Sequence, residues 1–282
     1  KGRMELNLIM DALACGYGNH AVVRDITLTL EKGDVLCLLG PNGSGKTTFF
    51  KTILGLLKRL EGKIYLGGED IKKWPHSKIA RAIGYIPQTH HPQFPFKVID
   101  IVLMGRTAHL GPFAAPSAKD TAIAEEALDI LQIDYLKERI YTELSGGERQ
   151  LVLIARALAQ QSSILLMDEP TASLDFGNQV LVLSRIRQLA RSGLSIIMAC
   201  HFPEHAFLYG TKALLFKEGA VFGFGSPERT VTEDNIKALY GVEVEIAEVY
   251  TKQGEAVKVC VPCNTNHHLK MSLGGLRNVQ TA

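Results

Sequence analysis

The chain has 282 residues, 46% of them hydrophobic, enough to fill the core of one large domain or two small ones. Its 31 Lys and Arg against 29 Asp and Glu leave a formal charge of +2, without the basic blocks of a dedicated nucleic-acid binder. Apolar runs such as DVLCLLG and LSIIMACH are far shorter than the roughly 18 to 20 residues of a membrane-crossing helix, and no charged-then-apolar leader is seen, so a cytoplasmic location and five reduced cysteines are expected.

The first 35 residues read as antiparallel strands, since DITLTLEKGD alternates apolar and polar residues up to a Lys-Gly turn. A small β layer ahead of the main sheet is expected. From DVLCLLG onward short apolar runs recur in AIGYIP, SILLMDE, SIIMACH and KALLFKEG, several followed by helical patterns. The fold class is therefore α/β, built on a parallel sheet covered on both faces.

The first of these runs leads into GPNGSGKTT. Gly40, Pro41, Asn42, Gly43, Ser44, Gly45, Lys46 and Thr47 fit the pattern GxxxxGK followed by Ser or Thr, between a strand and a helical segment that Gly55 ends. Glycines let backbone N–H groups turn inward onto anionic oxygens, and a helix N-terminus carrying Lys46, Thr47 and Thr48 adds partial positive charge. Lys46 is suited to the outer phosphates and the Thr47 hydroxyl to Mg²⁺. A bare Gly-rich turn would share the residues, but the flanking strand and helix favour a phosphate seat.

Between Gln88 and Leu144 the strand pattern stops, and Pro-bearing THHPQFPF and HLGPFAAPSAKD flank helical spacings such as DTAIAEEALDILQI. This reads as a helical insertion. LSGGERQ follows at residues 144 to 150, ahead of a segment whose Leu151, Ile154, Ala155 and Leu158 share one helical face. Ser145 and Glu148 fit a capping box. Gly146 and Gly147 each cost that helix about 1 kcal/mol against alanine, a cost that bare N–H groups facing an anion would justify. ILLMDEP then ends a buried strand with Asp168, suited to hold Mg²⁺, and Glu169, suited to polarise an attacking water. Beyond about Tyr240, GVEVEIAEVYTKQGEAVKVCVP reads as two strands and a Gly-bearing turn, with a polar tail after them. Cys260, Cys263, His267 and His268 in CVPCNTNHH lie at spacings unlike the usual zinc sites, so zinc is not expected there.

GPNGSGKTT, LSGGERQ and ILLMDEP, in this order, resemble the ATP-binding cassette family over about residues 5 to 240. The resemblance implies a P-loop NTPase core of the RecA-like kind, with an N-terminal antiparallel β subdomain and an inserted α-helical subdomain. Residues 1–240 would form the nucleotide-binding domain, with 89–160 as the insertion, and 241–282 a C-terminal hairpin and tail. It also implies an ATPase using ATP and Mg²⁺ in a head-to-tail homodimer, in which Ser145, Gly146, Gly147 and Glu148 serve the partner's nucleotide. Position by position, Gln88 matches the glutamine that contacts Mg²⁺ and water, and Ser173 to Asp175 match the segment that crosses the dimer interface. His201 matches the switch histidine and Tyr17 the aromatic that stacks on adenine. Where the family often has Thr before and Asp after that histidine, this chain has Cys200 and Phe202.

A single cassette without membrane spans resembles the ATPases of bacterial or archaeal importers. That implies two integral-membrane permease subunits, an extracytoplasmic solute-binding protein met indirectly, a peripheral place on the cytoplasmic face of the inner membrane, and no nucleic acid. VIDIVLMGRTAHLGPF and ALDILQI are similar to the subfamily importing iron–siderophore, haem or cobalamin and, in some members, molybdate or tungstate. DNA-repair cassettes need a long coiled coil where this chain has about a hundred residues without sustained heptads. A component of an iron–sulfur assembly scaffold is the alternative, against which the segment LMGRTAHLGPF weighs.

Overall fold

The computed structural model describes residues 7–88, 94–111, 113–252 and 254–263. β1 (Leu8–Tyr17) and β2 (His20–Leu30) form an antiparallel hairpin, with Tyr17 opposite His20 at its closed end. β3 (Val35–Leu39) is buried throughout and leads through the glycine-rich loop into α1 (Lys46–Ile53), beyond which Gly55 turns left-handed at φ +70°. β4 (Glu61–Leu66) and the short β5 (Glu69–Asp70) follow, and α2 (His76–Ala82) returns the chain to β6 (Ile83–Ile86).

The next segment is helical: α3 (Val98–Leu103), α4 (Ala118–Ile130) and α5 (Gly146–Ala159), with 3₁₀ turns between them. β7 (Ile164–Met167), α6 (Phe176–Arg191), β8 (Ser195–Ala199), α7 (Glu204–Tyr209) and β9 (Lys212–Lys217) restore the strand–helix alternation. The chain continues with β10 (Ala220–Gly225), α8 (Pro227–Thr230) and α9 (Glu233–Tyr240), and then a two-stranded hairpin of β11 (Val244–Tyr250) and β12 (Ala256–Pro262).

One ten-stranded sheet runs in the order β5-β4-β1-β2-β10-β9-β3-β8-β7-β6. Its β9-β3-β8-β7-β6 half is parallel, and both faces are covered. Val35, Cys37 and Leu39 of β3 enter one core with the insertion helices and α6, while Leu36 and Leu38 enter the other with Phe49, Phe50 and Ile53 of α1. That two-sided burial is why these strands read as continuous apolar runs.

The antiparallel strands expected ahead of the main sheet are present as β1 and β2. They join the same sheet, through a single pairing of Ala220 in β10 with Arg24 in β2, and β4 and β5 from beyond α1 extend them. All five cysteines are free thiols, with Cys15, Cys37 and Cys200 buried. Among the described residues no helix is long and apolar enough to cross a membrane.

Candidate nucleotide site

Parallel neighbours present their C-terminal ends along one edge, and every chemical residue of the core follows such an end. The glycine-rich loop leaves β3, Gln88 follows β6, Asp168 and Glu169 follow β7, and His201 follows β8. A cleft of about 410 Å³ opens there, lined by Asn42, Gly43, Gly45, Lys46, Thr47, Thr48, Gln88, Glu169 and His201, with Val22 of β2 as an apolar wall.

The loop is shaped by close approach. Gly45, the N-cap of α1, has φ +104°, and a Cβ there would run into Val23 of β2. At Gly40 a Cβ would stand 2.6 Å from the Phe216 carbonyl oxygen and 2.7 Å from Ser44 Oγ. The Ser44 hydroxyl is buried and has no partner, although a buried hydroxyl left alone costs about 1 to 3 kcal/mol. A bound phosphate oxygen would satisfy it. Lys46 Nζ donates to the carbonyls of Gly40 at 2.7 Å and Pro41 at 3.2 Å. Burial lowers the pKa of its ammonium, and the carboxylates of Glu169 and Asp168 oppose that.

Two oxygen donors stand together at the loop's end. Thr47 Oγ1 donates to Asp168 Oδ2 at 3.3 Å. Burial raises the Asp168 pKa and the charge of Glu169 adds to it, against hydrogen bonds from Thr47 and Tyr85 and the charge of Lys46. A carboxylate held at such a cost beside a hydroxyl fits a hard cation such as Mg²⁺.

Glu169 is the centre of the remaining contacts. Gln88 Nε2 donates to its Oε2 at 2.7 Å, and His201 Nε2 lies 2.6 Å from the same oxygen. Its backbone is left-handed, with φ +52°, which is uncommon for a residue with a side chain. Three segments separated by scores of residues thus meet on one carboxylate oxygen.

Tyr17, Asp175 and the LSGGE segment stand outside this cleft. Tyr17 is half-exposed at the tip of the β1–β2 hairpin. Ser145 and Glu148 form the capping box of α5, with the Glu148 carboxylate 2.8 Å from the Ser145 N–H. Gly146 lies by Leu174 and Gly147 is backed by Asn178, whose side chain leaves no room for a Cβ. Asp175 caps α6 through the Asn178 N–H at 2.9 Å. His267 and His268 lie outside the described residues, and among those described no group of His, Cys, Asp and Glu is arranged to hold a metal.

Tyr85 belongs to none of the motifs, yet its hydroxyl donates to Asp168 Oδ2 at 3.4 Å. Burial and the Asp168 charge push its pKa up to about 12. The register of β6 against β7, with Tyr85 opposite Leu166, brings the two together, and a single sequence carries no such register.

Known proteins resemble this chain in sequence and in fold. The ABC transporter family model matches residues 23–172. A Haemophilus influenzae ABC transporter ATP-binding protein is 43% identical over 83% of this chain and 89% of its own length. The molybdate import ATP-binding protein of the same organism is 38% identical, over 77% of this chain and 81% of its own. A probable iron chelatin transport ATP-binding protein of Helicobacter pylori is 37% identical, over 83% and 92%. Among solved structures, a transporter described as of the metal-chelate type, in an inward-facing conformation, superposes with a TM-score of 0.82 at 34% identity, covering 92% of this chain and 98% of that one. An ATP-binding cassette in its ADP conformation gives 0.74 at 25% identity, over 85% and 97%. With its P-loop NTPase fold and a glycine-rich loop facing the acidic end of β7, the chain belongs to the ABC transporter family as an ATP-binding subunit.

Proposed function

We propose that this chain is the Mg²⁺-dependent ATPase of a bacterial or archaeal importer for a metal chelate, such as iron–siderophore, haem or cobalamin, or for molybdate or tungstate. The meeting of Gln88 and His201 on one oxygen of Glu169, beside the phosphate loop, carries the reading. A carboxylate so placed would orient a water and accept its proton, and His201 would contact the terminal phosphate. Thr47, Gln88 and Asp168 would hold Mg²⁺, which supplies charge neutralisation on the phosphate oxygens when bound. Gly40 to Thr48 would cradle the phosphates and Tyr17 would stack on adenine.

Ser145 to Glu148 and Asp175 act across a head-to-tail homodimer in this reading, which accords with their standing outside the chain's own cleft. Residues 1–240 work as the cassette, with 89–160 as its helical insertion, and 241–282 as an appended hairpin and tail. The chain sits on the cytoplasmic face of the inner membrane against two permease subunits, with a solute-binding protein on the far side. A cleft of about 390 Å³ between α2 and the insertion, lined by Leu56, Ile79, Tyr85, Met104 and Arg156, suits a permease helix. Leu56 is 64% exposed there. The names of two relatives, a molybdate import and a probable iron chelatin transport ATP-binding protein, support the solute class.

The test is Mg²⁺-dependent ATP hydrolysis by the purified chain, alone and assembled with its permease pair in liposomes loaded with candidate solutes. Mg²⁺-dependent turnover that the permease alters, with release of a metal chelate or molybdate from the loaded lumen to the ATPase side, is the expected result. Turnover indifferent to the permease would overturn the importer reading.

A further inference from the structure

The phosphate loop is held from the far end of the chain. The Gly40 N–H donates to the hydroxyl of Tyr240 at 3.0 Å, across 200 residues of sequence. Burial pushes the Tyr240 phenol up to about 12, so the group accepting this bond stays a neutral hydroxyl throughout the ordinary pH range.

Gly40 is thereby fixed on both sides, its N–H by Tyr240 and its carbonyl by Lys46 at 2.7 Å. The two holds differ in what happens when a polyphosphate enters. An ammonium bonds more strongly to a charged phosphate oxygen than to a neutral carbonyl, so Lys46 is drawn off Gly40 and Pro41. The hydroxyl of Tyr240 has no such competitor and keeps its place. Phe216 and Ser44 stand so close to Gly40 that not even a Cβ would fit there.

Tyr240 is in turn placed by the C-terminal hairpin. It is the last residue of α9, which Gly241 ends at φ +71°. Glu233 at the start of α9 accepts the Ile246 N–H of β11 at 2.8 Å, and Lys237 pairs with Glu243 at 2.7 Å. β12 packs on α7, the helix that begins three residues after His201, and Cys260 of β12 packs against the same core as Tyr240.

We propose that Tyr240 is a positioning residue for nucleotide binding, whose hydroxyl keeps the first glycine of the phosphate loop in register when Lys46 leaves it, and through which the C-terminal hairpin sets the shape of that loop. The proposal rests on the phosphate loop being the nucleotide seat.

The experiment compares the full chain with Tyr240→Phe, which removes one oxygen and keeps the ring. Backbone amide exchange of Gly40 is followed without nucleotide, and the Kd for MgATP and MgADP is measured by equilibrium titration. In Tyr240→Phe the Gly40 amide exchanges about tenfold faster, both nucleotides bind about five- to tenfold more weakly, and KM for ATP rises by more than kcat falls, the scale of one partly buried hydrogen bond. A variant with a lower melting temperature and unchanged Kd would show the hydroxyl to be merely structural and would overturn the proposal, as would unchanged Gly40 exchange. Wild-type protein that binds no MgATP would instead sink the nucleotide reading, while Gly40 exchange still reports the hold of Tyr240 on the loop.

Discussion

At Glu169 the backbone holds φ +52° at the end of an otherwise regular strand. A left-handed residue with a side chain costs about 1 to 2 kcal/mol, and it persists only where its surroundings over-determine it. Here the Ala172 N–H closes a turn onto the Glu169 carbonyl at 3.2 Å, while Gln88 and His201 hold the carboxylate. The turn directs the side chain into the cleft beside Lys46 and Thr47. Glu169→Gln keeps the shape and removes the carboxylate proposed to accept the water's proton, so single-turnover hydrolysis is expected to fall about 10² to 10⁴-fold while equilibrium MgATP binding persists. Hydrolysis at the wild-type rate would remove Glu169 from the role of base. Residues such as Lys46, Asp168 and Glu169 were legible in the sequence because their chemistry requires fixed neighbours along the chain. Tyr85 and Tyr240 were not, because each meets its partner only after strands or helices far apart in sequence have packed.

Elements show the same division. β3, β7 and β8 announce themselves as apolar runs, and α5 by its capping box and its stripe of Leu151, Ile154 and Ala155, all buried. β4 and β5 were missed. In β4 only Ile64 and Leu66 are buried, and β5 has two residues, Glu69 and Asp70, so neither offers a run long enough to stand out beside Gly67 and Gly68. What fixes this edge is a fork: Arg59 donates to both oxygens of Asp70 at 2.8 and 2.7 Å. The guanidinium holds the Asp70 pKa down, from 3.8 to about 2. A depressed carboxylate stabilises the fold fully above its unfolded pKa and loses that contribution as pH falls through its folded one. The window is therefore about pH 4 down to pH 2, and after solvent screening the pair is worth about 1 kcal/mol. Asp70→Asn should lower stability to denaturant by about that much at pH 7 and by progressively less as the pH drops from 4 to 2. An equal loss at both ends of that range would show that the ion pair is not what holds β5.

At the scale of the whole molecule the LSGGE segment and the phosphate loop do not share a cleft within one chain. The capping box takes the Glu148 N–H onto the Ser145 hydroxyl, and this leaves the N–H groups of Gly146 and Gly147 with no partner inside the helix and no side chain of their own over them. A helix end so stripped suits an anion held by another copy, which the head-to-tail dimer would deliver. Gly146→Asp tests this without unmaking the helix, since an acid in the first turn favours the helix dipole but repels phosphate. Lys46→Ala spoils the other half of the site. Each variant alone is expected to hydrolyse almost no ATP. Mixed in equal amounts, about half of the dimers pair one of each kind, and each such dimer holds one site with both halves intact, so about a quarter of wild-type turnover should return. Recovery requires the two halves to come from different chains, because in a site completed within one chain every copy in the mixture would carry its own defect. A mixture as inactive as its parts would therefore tie each LSGGE segment to the nucleotide of its own chain, and the glycines at the start of α5 would need another explanation.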